Sequence, residues 1–188
     1  ETPLPPPTDT PPGPPTPIPG WLTYHNDLVG YSFDYPPEAE LTSIGVTGFP
    51  TEELPPGLTP SDYFATLEAT YPDDLCVSLN LPLAFLTIQA PYDAGGRYSD
   101  PCGVSGIGVY DVVTADQTVL VGGTPYAATL TQLYVSGTGV MVSEFMVLHL
   151  ENGSRVDLGG SWESSGSYEA YVAERDTLLT VLASFRWD

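Results

Sequence analysis

Ten of the chain's 21 prolines fall within its first twenty residues: Pro3, Pro5, Pro6, Pro7, Pro11, Pro12, Pro14, Pro15, Pro17 and Pro19. Proline locks φ and has no N–H, so neither a helix nor a paired strand propagates through such a run. Residues 1–20 are therefore expected to form either a polyproline II arm, a left-handed helix with no internal hydrogen bonds, or a flexible leader in front of a folded domain. Residues 21–188 must carry the fold, and they suit a single domain with a sizeable core.

Composition narrows what that domain can meet. The chain is 41% hydrophobic and only 15% charged, as a packed body requires. Its 24 acidic residues face four arginines and no lysine, for a net charge of −20. That charge repels phosphate backbones, so no nucleic acid partner is expected. The longest apolar run, Val140–Leu150, is interrupted by Ser143, Glu144 and His149. It falls short of the ~20 residues a membrane helix needs, so no transmembrane segment is expected. The chain begins with Glu1 and not Met, and reads as a processed form. Cys76 and Cys102 belong to no CxxC pair and have no neighbouring histidine. In an oxidising compartment their disulfide would close a loop of about 26 residues, worth roughly 3 kcal/mol. With the Pro/Thr arm and the missing lysine, this points to an extracellular or cell-surface location.

The domain reads mostly as strands. Leu22–His25 and Tyr31–Tyr35 alternate apolar with polar residues around the turn Asn26–Gly30, predicting an opening hairpin with one solvent-facing side. A third strand is predicted over Leu41–Val46. Thr59-Pro60-Ser61-Asp62 has the form of a helix start, with Tyr63, Phe64, Leu67 and Tyr71 as its apolar stripe and Pro72 as its stop. Strands are then predicted at Leu75–Leu81, Phe85–Gln89, Val104–Thr114, Thr118–Val121 and Tyr126–Val135. Val140–Leu150 should be a central strand, and Asn152-Gly153 a type I′ turn into Arg155–Leu158. A closing helix begins at the cap Ser167 and carries Tyr168, Tyr171, Val172, Leu178, Leu179 and Leu182 on one side. Phe185-Arg186-Trp187 follows as a short extended piece. The fold class predicted is α+β, an antiparallel sheet with helices packed on it.

Three stretches together resemble a known group. They are Trp21, Tyr24 and Gly30-Tyr31-Ser32-Phe33-Asp34-Tyr35-Pro36; Cys102-Gly103 with Gly122-Gly123 and Tyr126; and Leu178-Leu179 with Leu182-Ala183-Ser184-Phe185. The pattern is similar to secreted bacterial PsbP-like domains that follow a Pro/Thr-rich leader. The resemblance implies an α-β-α sandwich around an antiparallel sheet, used for binding or assembly more than for chemistry. The photosystem subunit of that family bears lysines; this chain has none, so a photosynthetic role does not carry over.

No catalytic residue can be nominated, and the chain is not expected to be an enzyme or to hold a cofactor. His25 and His149 lack a second histidine at ligand spacing and are expected to be structural. Gly103-Val104-Ser105-Gly106 falls short of GxSxG, and Gly103, Gly106 and Gly108 do not make GxGxxG. Glu144 is a lone carboxylate in an apolar strand, and Arg155 is its expected partner across the hairpin. Ca²⁺ is weakly indicated by Asp73, Asp74, Asp93 and Asp100 around the cysteine loop, which lack EF-hand spacing. Asn152-Gly153-Ser154 satisfies the glycosylation sequon, although the tight turn accounts for it equally well. Three readings follow: a self-assembling filament subunit whose arm docks on another copy, a cell-surface binding module on a Pro/Thr stalk, and a secreted enzyme of unrecognised chemistry.

Overall fold

The computed structural model describes residues 15–44, 74–91, 110–162 and 167–187. Ten strands and one helix lie within them: β1 (Leu22–Asn26), β2 (Tyr31–Tyr35), β3 (Glu40–Ile44), β4 (Cys76–Asn80), β5 (Ala84–Gln89), β6 (Tyr110–Val121), β7 (Thr124–Val135), β8 (Val140–His149), β9 (Arg155–Ser161), α1 (Tyr168–Ala183) and β10 (Arg186–Trp187). They form two antiparallel sheets, one of three strands in the order β1-β2-β10 and one of seven in the order β3-β4-β5-β9-β8-β7-β6. The helix predicted over Thr59–Tyr71 lies outside the described residues, as do Ser105 and Cys102. One helical layer on an antiparallel sheet is therefore what the described residues present. None of their helices is long and apolar enough to cross a membrane.

The core lies between the large sheet and α1. Leu79, Leu86, Leu158 and Met146 are successive cross-strand neighbours, and all are buried under the helix. The helix contributes Tyr171, Leu178, Val181 and Leu182. Ser167 caps it, accepting the Ala170 amide at 3.2 Å. Its far end meets the β6–β7 turn, where the Gly122 N–H donates to Leu182 O at 3.0 Å. Only glycine fits there: φ is +56°, and a Cβ would lie 2.6 Å from Phe185 O. Gly160 in β9 serves the same end, because a Cβ would stand 2.0 Å from Leu83 O and 2.6 Å from the Tyr171 ring.

Three sequence expectations change and one holds. Val104–Thr114 and Thr118–Val121 are not separate strands in their described part, since β6 runs unbroken from Tyr110 to Val121 on a continuous ladder with β7. Val140–His149 is the central strand expected, ending one residue earlier than Leu150, with one face fully buried and Ser143, Phe145 and Val147 half-buried on the other. The Asn152 turn is not type I′, which needs positive φ at both central residues. Gly153 alone has it (+87°), and Leu150 N bonds Ser154 O at 2.8 Å around a three-residue loop. The opening hairpin forms as expected, yet β2 has no solvent-facing side: Ser32 and Asp34 are buried like Tyr31 and Phe33.

Candidate functional site

That buried polar side of β2 is where the arm meets the domain. Ile18 lies at the arm's root, and its N–H donates to Asp34 Oδ2 at 2.9 Å. Thr23 Oγ1 donates to Oδ1 at 2.9 Å. Arg186, in β10, grips the same carboxylate with two hydrogen bonds, Nη2 to Oδ1 at 2.6 Å and Nη1 to Oδ2 at 3.1 Å. Sheet register explains the meeting, because β10 pairs with β2 at Arg186↔Ser32 and brings the guanidinium beside the next residue on that face of β2, Asp34. Ser184, just past the helix, accepts the Asp34 N–H at 2.9 Å. Bidentate pairing with a guanidinium is the strong form of this contact. Arg186 above all, against the opposing effect of burial, and then the Ile18 and Thr23 donors hold the Asp34 carboxyl at about 2, below its usual 3.8. A carboxylate so fully donated to is a clamp and has no lone pair left for base chemistry. It ties three places together: the arm's end, the first hairpin and the last strand.

Glu144 forms a second buried polar centre. It is 1% exposed and stays paired: Arg175 Nη1 donates to Oε1 at 2.8 Å, and Gln132 Nε2 to Oε2 at 2.9 Å. Tyr171 O–H lies 3.4 Å from Oε1, and its phenol is pushed upward, first by burial and then by the Glu144 charge. The expected partner, Arg155, is elsewhere. It pairs with Asp157 at 2.8 Å, because register sets it against His149, five residues along β8 from Glu144. Arg175 comes instead from the helix lying over the sheet.

The remaining candidates scatter. His25 and His149 are both exposed and sit in different sheets, so neither is a core histidine. Asp74, at φ +70°, accepts from Tyr24 O–H at 2.7 Å and from Ser43 Oγ, and its backbone closes on Asn26 Nδ2 at 3.0 Å. Asp73, Asp93 and Asp100 fall outside the described residues, within which no three His, Cys, Asp or Glu side chains cluster closely enough to hold a metal. Cys76 is fully buried at the start of β4, between Ile44 and Gln89 in register. Of the arm prolines, Pro15, Pro17 and Pro19 are described, and Pro17 and Pro19 are exposed. Sequence reading missed Asp34 and Arg186. The available signal was that Arg186 is one of only four cations, placed in the last extended segment.

Over 91% of this chain and 94% of the other, the structure is similar to the solution structure of cyanobacterial PsbP (CyanoP) from Synechocystis sp. PCC 6803, at 12% identity and a TM-score of 0.45. At that score the likeness assigns neither membership nor function. No family model and no curated protein matches the sequence.

Proposed function

We propose that this protein is an extracellular structural subunit that assembles with copies of itself, the Pro-rich arm of one copy docking on the next. The observation that supports this reading is the Ile18–Asp34 bond within the Arg186 clamp. A stalk that serves only as a spacer needs no fixed exit. A docking arm gains from one, because anchoring its root removes orientational freedom that association would otherwise cost. Fourteen residues precede Pro15. As polyproline II they reach roughly 43 Å at ~3.1 Å per residue. A 168-residue body is roughly 40 Å across. Head-to-tail capture then generates an open chain unless the rotation closes it into a ring.

The alternative, a surface binding module, draws on β6. Among the described residues this strand forms an edge of the large sheet, and Val112, Val113 and Leu120 are more than half exposed. An edge of that kind accepts an added strand. Sedimentation and electron microscopy of the full chain against a form lacking residues 1–14, which keeps the Ile18 anchor, separate the two. Filaments or rings from the full chain and monomers from the shortened one are expected. Equal assembly by both forms sinks the proposal.

A further inference from the structure

A hollow of about 330 Å³ opens at one end of the large sheet, between the turn Leu81–Ala84 and the last pair of the β8–β9 ladder, Ser143 with Ser161. Asn80 and Phe85, direct cross-strand partners, both line it. Among the described residues its lining side chains carry no charge, in a chain of net charge −20; the nearest carboxylate, Glu174 of α1, accepts the Leu83 and Ala84 N–H groups at 2.7 and 3.0 Å. Two of its hydroxyls are already engaged. Ser143 Oγ donates to Gly160 O at 2.7 Å, and Ser161 Oγ to Val142 O at 3.1 Å. The side-chain amide of Asn80 makes no hydrogen bond among the described residues and is half-buried opposite Phe85 in the ladder.

Resting on the assembly reading above, we infer that this hollow is the receptor for Pro3–Pro7 of a second copy, with Leu4 and its flanking prolines against Phe85 and Leu81. Three features select that occupant. A proline run offers carbonyl acceptors and almost no donors, so its receptor needs an apolar or aromatic wall and a free N–H, which Phe85, Leu81 and Asn80 supply. Charge points the same way: bodies this acidic repel each other, whereas the segment between Glu1 and Asp9 is uncharged and meets a hollow whose lining side chains are uncharged. Length agrees as well. Pro3–Pro7 lies eleven to fifteen residues before the anchored Ile18. That is roughly 34–47 Å of polyproline II, enough to leave one body and reach the next.

The test places the photo-crosslinker benzoylphenylalanine at Leu4 in the full chain, mixed from isotopically light and heavy copies. Cross-linked peptides joining light to heavy chains at Leu81–Phe85 are expected. Ser161 is exposed at the rim of the hollow. Ser161→Arg should raise the protein concentration needed for assembly at least tenfold with unchanged circular dichroism. Phe85→Leu, which keeps apolar volume and removes the ring, should act in the same direction. Polymers that form with cross-links mapping elsewhere, or with Ser161→Arg assembling like the native chain, overturn the receptor and leave the assembly reading standing. Cross-links confined to one copy also overturn it. A full chain that stays monomeric overturns both.

Discussion

Arg186 and Asp34, 152 residues apart in the chain, meet in two hydrogen bonds, with Nη2 and Oδ1 at 2.6 Å. The pair fastens β10 to the middle strand of the small sheet, where the ladder is only two residues long and is supported by the Ser184–Asp34 bond and the Tyr31–Trp187 ring contact. Removing the cation leaves a carboxylate that is 1% exposed without its principal partner. Arg186→Ala should therefore cost about 3–5 kcal/mol in urea unfolding. It should also speed proteolysis around Pro15–Gly20, because the Ile18 contact depends on the same oxygens.

The same carboxylate makes stability fall in acid. Asp34 sits at about 2 in the folded chain against an ordinary 3.8. A depressed value favours folding while the group is ionised. The contribution, about 2 kcal/mol, is complete above pH ~4 and lost as the pH falls through the folded value. Unfolding free energies measured from pH 5 to pH 2 should decline in that window for the native chain, and less steeply for Asp34→Asn.

Glu144 should tolerate a change of charge better than a loss of shape. Glu144→Ala leaves Gln132 without its acceptor and Arg175 with only the exposed Asp176 at 3.3 Å, over a cavity, and should cost about 2–4 kcal/mol. Glu144→Gln keeps an acceptor for Arg175 and should cost less than half as much. Thermal and urea melts of the two variants decide this, and equal losses would refute it.

Gly160→Ala tests how tightly α1 sits on the sheet. The added methyl would fall 2.0 Å from Leu83 O and 2.6 Å from the Tyr171 ring, and the first of these is backbone that cannot swing away. A loss of about 3 kcal/mol or more is expected, with the tyrosine fluorescence altered. Gly153→Ala, whose nearest neighbour would be the Pro91 side chain at 3.2 Å, should cost less and mainly through its φ of +87°.

The disulfide proposed between Cys76 and Cys102 has a direct check. The denatured, unreduced chain should expose no thiol to alkylation, and Cys76→Ser should lose roughly 3 kcal/mol. Two reactive thiols in the denatured chain would remove the bond from the account.

Residues 22–35 and 167–187 were legible because their signals are local. Alternation and a central turn specify the first hairpin, and Ser167 with its apolar stripe specifies the helix; both formed where expected. The sequence predicts a break at Ala115-Asp116-Gln117 where β6 runs on, because an exposed stretch with polar residues resembles a turn until its pairing with β7 is known. The type I′ assignment failed for a similar reason: Asn-Gly suits it, but strand register imposed a three-residue loop.

By itself the sequence determined the division into a proline arm and a strand-rich body, the acidity, and the presence of one carboxylate in an apolar strand. These depend on residue types and near neighbours, which φ restriction, periodicity and solvation govern along the chain. Tertiary structure alone decided which charges meet. Glu144 turned from Arg155 to Arg175 because a helix, not the hairpin, lies over it. Asp34 passed from an outward strand position to a buried clamp because the arm and the last strand converge on it. Pairing across such separations follows from sheet register and helix placement, and no local pattern encodes either.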